Sequence, residues 1–84
     1  MYYIYAIYNT IADKIYIGQS ENLEERLKWH NEKRFKGYTS RFEGRWKIIY
    51  REECQTRLDA LKREKQLKSY RGREFIKKYL QDKE

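Results

Sequence analysis

The sequence has little of what disulfide frameworks, metal cages or membrane anchors require. Its 84 residues include one cysteine, Cys54, and one histidine, His30. A lone cysteine excludes an internal disulfide and suits a reducing cytosol, so a cytoplasmic location is expected. Cys54 has no C-x-x-C partner, and with a single histidine the chain lacks the ligands of a zinc site. It reads as a small apolar filler near a strand end. No apolar run approaches the roughly 20 residues of a bilayer-spanning helix, the N-terminus shows no secretory pattern, and no membrane partner is expected. Repeats, linkers and low-complexity tracts are missing too. The length suits one domain over residues 1–84, with a core at about 2–80.

Cations and aromatics are plentiful. Lys and Arg total 20 against 13 Asp and Glu, a formal net charge of +7. That excess suits a polyanionic partner, nucleic acid or an acidic membrane surface. Nine Tyr, three Phe and two Trp supply the buried area that so polar a chain needs. Interleaved with Lys and Arg, they also favour stacking on bases.

"YYIYAIYN" (2–9) is dense in aromatic and β-branched residues and predicts a strand, with "IYIGQ" from residue 15 as its hairpin partner. Asn22 with Glu25 forms a capping-box arrangement for a helix over 23–32. "KRFKGYTSRFEG" is a basic, aromatic loop, and "RWKIIYRE" (45–52) a third strand. Thr56 and Asp59 cap a helix over 57–70, Gly72 interrupts it, and "REFIKKYL" predicts a short last helix. The expected fold is α+β, a small three-stranded, mostly antiparallel sheet flanked by helices in the order β-β-α-β-α-α.

Charged residues stand where core is expected. At 100° per residue, Arg26 and His30 share or border the arc of Leu23 and Leu27, facing the sheet. A guanidinium there must be paired or open onto a cleft. On the second long helix Ala60, Leu61 and Leu67 mark the inward stripe, and Glu64 projects from its middle. An ordinary i,i+4 pair with Lys68 accounts for an exposed Glu64 but poorly for one bracketed by apolar residues. Alternation places Tyr3, Tyr5 and Ile7 on one side of the first strand and Tyr16 with Gly18 on one side of the second. Tyr5 and Tyr16 then lie side by side, and Gly18 permits close approach. Two phenols, a guanidinium, an imidazole and a carboxylate outline a site for a negatively charged substrate.

In this order "YIY" (3–5), "YIG" (16–18), Arg26, His30 and Glu64 resemble the GIY-YIG nuclease family, in particular its small stand-alone members. The likeness runs from "YYIYAIYN" to about Tyr79 and takes in "YIGQSENLEERLKWHN", "GYTSR" and "LDALKREKQLKSY". The first motif's leading glycine is Tyr3 here, and no asparagine follows Glu64. The resemblance implies a DNA endonuclease in which Glu64 holds one Mg²⁺ or Mn²⁺. Tyr5 would receive the proton of the attacking water, its phenol pKa of about 10 lowered by neighbouring cations. Tyr16 would position water or phosphate, and Arg26 would clamp the scissile phosphate. His30 would orient a neighbouring hydroxyl or take the proton itself. Lys33, Arg34, Lys36, Tyr38, Arg41, Arg45 and Lys68 are the expected DNA contacts, with a protein partner to supply specificity. The competing readings are a non-catalytic nucleic-acid-binding module of the same fold and a basic protein-interaction domain. Oligomeric state is left open.

Overall fold

The computed structural model of the chain describes residues 1–33 and 37–81. Three strands, β1 (Tyr2–Asn9), β2 (Lys14–Ser20) and β3 (Trp46–Cys54), form a sheet of order β2-β1-β3. Both pairings are antiparallel. Three helices complete the chain: α1 (Leu23–Asn31), α2 (Arg57–Lys68) and α3 (Tyr70–Gln81). A short 3₁₀ turn, Tyr38–Arg41, stands in the basic loop. The α+β class and the β-β-α-β-α-α order are those expected.

Local chemistry sets the elements. Fully buried Asn9 accepts the backbone N–H groups of Ile11 and Ala12 on its Oδ1, each at 3.0 Å, closing the β1–β2 turn. Its amide donates to the Glu43 carbonyl at 2.8 Å, tying that turn to the approach to β3. The expected caps are in place: the Asn22 and Thr56 side chains accept from the N–H groups of Glu25 and Asp59, each at 3.1 Å.

The sheet separates two apolar clusters. Ile4, Ala6, Ile17 and Ile49 pack against Ala60 and Leu67 of α2 and Ile76 of α3. On the other face Tyr5, Ile7 and Trp46 pack against Leu23 of α1. Cys54 is a half-buried free thiol packed against the first cluster, the filler role expected of it.

Two expectations fail for a packing reason. The helix boundary falls at extended Ser69, and Gly72 lies inside α3 and does not interrupt a helix. A Cβ on Gly72 would meet the Gln66 carbonyl oxygen at 2.3 Å and the Leu67 backbone at 2.4 Å. The glycine thus serves close approach of α3 to the end of α2. Leu61, placed inward by the pattern, is 45% exposed, because the inward arc of α2 is centred on Ala60 and Leu67.

Candidate active site

Strand register assembles the tyrosines. Tyr5 faces Gly18 across the β1–β2 pair and Ile7 faces Tyr16, so the two rings are diagonal neighbours, 6.3 Å between centroids. A Cβ on Gly18 would stand 2.8 Å from the Tyr5 hydroxyl and 3.0 Å from its Cζ and from Tyr16. Only glycine leaves that hydroxyl its place.

Helix α1 lays His30 onto the same patch. Its Nε2 is 2.9 Å from the Tyr5 hydroxyl, and its Nδ1 is 2.7 Å from Thr39 Oγ1. Tyr5, His30 and Thr39 are all buried, and the Tyr16 ring lies 5.2 Å from the imidazole. Thr39 comes from the 3₁₀ turn, nine positions beyond His30, and the residue-by-residue reading missed it. Only the "GYTSR" likeness pointed to its neighbourhood. The loop that carries the turn is closed at its base: Asn31 bonds both backbone groups of Trp46, at 2.6 and 3.1 Å. Lys33 donates to the Phe42 and Gly44 carbonyls at 2.6 and 3.1 Å.

Burial moves the two central groups in opposite senses. It raises the Tyr5 phenol well above its ordinary value, outweighing the lowering effect of the Arg26 charge. The expectation that neighbouring cations lower this pKa is therefore overturned. Burial pushes His30 down to about 4, helped by the charges of Arg26 and Lys33. Both groups are neutral at pH 7. A neutral imidazole carries one N–H, so its two hydrogen bonds run in a single direction along Tyr5–His30–Thr39.

The charges of Arg26 and Glu64 act on this chain. The half-buried Arg26 has its guanidinium 5.3 Å from the centre of the Trp29 ring, and its charge acts on both Tyr5 and His30. Glu64 comes from α2, in the opposite layer, yet its charge also acts on Tyr5. Its side chain is 20% exposed, and its Oε2 accepts from Lys68 at 2.7 Å. The i,i+4 pair is thus real, and the carboxylate is still half sheltered. Among the described residues, Glu64 Oε1 has no hydrogen bond and no group of three or more His, Cys, Asp or Glu side chains is poised around a metal. A lone carboxylate with one open oxygen fits a hard cation that keeps its waters and completes its shell with phosphate oxygens. It does not fit a closed protein cage.

The expected DNA contacts separate. Lys33 is occupied with loop carbonyls, whereas Arg41 and Arg45 are exposed. Tyr38 is 43% exposed, with its ring nearly parallel to that of Tyr16 at 6.2 Å. Phe42 turns back onto the core. Arg34 and Lys36 lie outside the described residues. No helix among the described residues is long and apolar enough to cross a membrane.

The family model described as GIY-YIG catalytic domain matches residues 1–79. Comparison with curated proteins and with solved structures gave no match.

Proposed function

The chain belongs to the GIY-YIG catalytic-domain family, nucleases that in general use divalent metals and act on DNA, and from that premise we propose a metal-dependent DNA endonuclease centred on Tyr5. The observation that carries the reading is the buried Tyr5–His30–Thr39 chain, with the Arg26 and Glu64 charges acting on its phenol.

A phenol with a raised pKa is a poor resident base, so Tyr5 acts as a relay. Its O–H donates to His30 Nε2, and the imidazole donates from Nδ1 to Thr39. As water attacks phosphorus, Tyr5 takes the water's proton on oxygen and passes its own to Nε2. The bond forming is water oxygen to phosphorus, and the bond breaking is phosphorus to the leaving deoxyribose oxygen, which takes a proton from solvent water. His30 returns its extra proton to solvent to reset the chain. An imidazole held near pKa 4 is a weak acceptor in the DNA-free protein. Burial is the main cause of that low value, and a bound phosphate offsets the smaller part contributed by the positive charges of Arg26 and Lys33, which moves the imidazole toward accepting. Arg26 presents its forked donors to the phosphate as charge grows on it. Tyr16 positions the water or a phosphate oxygen. Glu64 holds the divalent ion, Mg²⁺ or Mn²⁺, whose chemistry when bound is Lewis-acid neutralisation of the phosphate.

The test is cleavage of labelled duplex, branched and single-stranded DNA in Mg²⁺, Mn²⁺ or EDTA. Glu64→Gln should abolish cleavage with folding and DNA binding retained. Tyr5→Phe should slow single-turnover cleavage by about 10²–10⁴, the worth of a positioned acid–base group. Undiminished cleavage in EDTA would overturn the metal role. Salt-sensitive DNA binding with no cleavage in any metal would leave a binding module.

A further inference from the structure

Strand β2 is an open edge of the sheet, and two clefts run along it. The inner one, about 260 Å³, is lined by Tyr16, Tyr38, Lys68 and Arg73. The outer one, about 500 Å³, is lined by Lys14, Tyr38, Arg73, Lys77 and Leu80. They share Ile15, Tyr38 and Arg73, so they form one groove that starts at Tyr16, beside Tyr5, and leads away toward α3.

Its lining combines cations with a half-exposed aromatic ring. Lys14, Lys68, Arg73 and Lys77 supply positive charge, and Tyr38 stands at the junction. Three carboxylates sit among these cations: Asp13, which lines the outer cleft, accepts from the Tyr8 hydroxyl at 2.7 Å, Glu64 pairs with Lys68 at 2.7 Å, and Glu74 pairs with Lys77 at 3.2 Å. That last pair is solvent-exposed on both sides, 60% and 48%, so a phosphate displaces it at little cost. Another cleft touching the site, about 420 Å³ beside Arg26, sets Glu21 and Glu25 against Arg26 and Arg57 and offers a polyanion no such excess.

Resting on the nuclease reading, we propose that this groove carries a single strand of the substrate DNA away from the cut. Phosphates lie on Lys14, Arg73 and Lys77, and one unpaired base stacks on Tyr38. A ring in a cationic groove recognises any base by its π-face, which a paired and stacked base does not present. Backbone contacts and stacking on a π-face tolerate any base, so the strand is held with little sequence preference. The preferred substrate is thus DNA with an unpaired arm beside the cut.

The experiment measures binding of the wild-type protein in EDTA to a labelled single-stranded oligonucleotide and to a duplex of equal length, over a salt series. Replacing Lys14 and Lys77 together by Ala should flatten the single-strand slope of log affinity on log salt by about 1.4, roughly 0.7 for each lost phosphate. Tyr38→Ala should weaken single-strand binding by about 5-fold to 150-fold, the worth of one stacked base, and Tyr38→Phe should restore it. Unchanged single-strand affinity and slope in the Lys14/Lys77 variant would overturn the groove. Equal losses on duplex would overturn the single-strand assignment. A wild-type protein that keeps these groove effects but never cleaves would refute the nuclease reading and not the groove.

Discussion

At Tyr5 and His30 burial disfavours the charged form of each group, a phenolate in one and an imidazolium in the other. The consequence is a hydrogen-bonded pair that holds no charge across the physiological range. The sign of the linkage follows from the histidine. Its pKa is about 6.5 when unfolded and about 4 when folded, so between those values the unfolded chain binds more protons. Stability from this group is full above pH 6.5 and is lost as pH falls from 6.5 toward 4. Because the chain has one histidine, its imidazole proton resonance reports His30 without ambiguity. That resonance should be flat from pH 8 to about 5.5 and begin to move only below it. Adding DNA in EDTA should raise the midpoint, because the phosphate offsets Arg26. An inflection near 6.5 in the free protein would show a solvated imidazole and remove the relay.

At the scale of elements, the α2–α3 junction sets two rules against each other. Helix propensity says that Gly72→Ala gains about 1 kcal/mol. Packing says that the new Cβ meets a backbone oxygen at 2.3 Å, so α3 must shift off α2. Overpacking costs about 1–3 kcal/mol, and backbone atoms give way less easily than side chains. Packing wins, so Gly72→Ala should lower the melting temperature; a higher one would show that the junction yields freely. The same glycine shows which parts of the molecule were legible in the sequence. Caps at Asn22 and Thr56, the alternation of Tyr3, Tyr5 and Ile7, and the Arg26–His30 spacing are local patterns, and local patterns were readable. Gly72 was misread because its meaning lies in a neighbouring helix. Thr39 was missed because its partner is set by a loop closure, and Leu61 was misplaced because one leucine cannot say where the arc is centred. The direction of the Tyr5 shift was unreadable for a related reason. Neighbouring charges can be guessed from sequence, but burial belongs to the whole fold.

At the scale of the whole molecule, the sheet divides labour between its faces. The cluster under α2 and α3 is apolar, whereas the face under α1 carries both the second cluster and the Tyr5–His30–Thr39 chain. Glu64 reaches the site from α2, but the other site groups belong to the face under α1, so activity should depend more on that face than stability does. Leu67 and Leu23 are each 2% exposed, one on each side, and make a matched pair. Truncation of either to Ala should cost about 2–5 kcal/mol, depending on how far the cavity collapses. For a domain of this size each kcal/mol lowers the melting temperature by about 4–8 °C. Helix α1 is only nine residues long and carries both Arg26 and His30, so a cavity at Leu23 displaces the site itself. A cavity at Leu67 lies across the sheet and disturbs Glu64, one turn back on α2, but it leaves Arg26, His30 and Tyr5 in place, with β1 still holding Tyr5 against Gly18. Single-turnover cleavage, measured well below both melting temperatures, should then fall at least tenfold more for Leu23→Ala than for Leu67→Ala. Equal losses at similar destabilisation would mean that the sheet does not insulate the site, and that the short helix is not what aligns it.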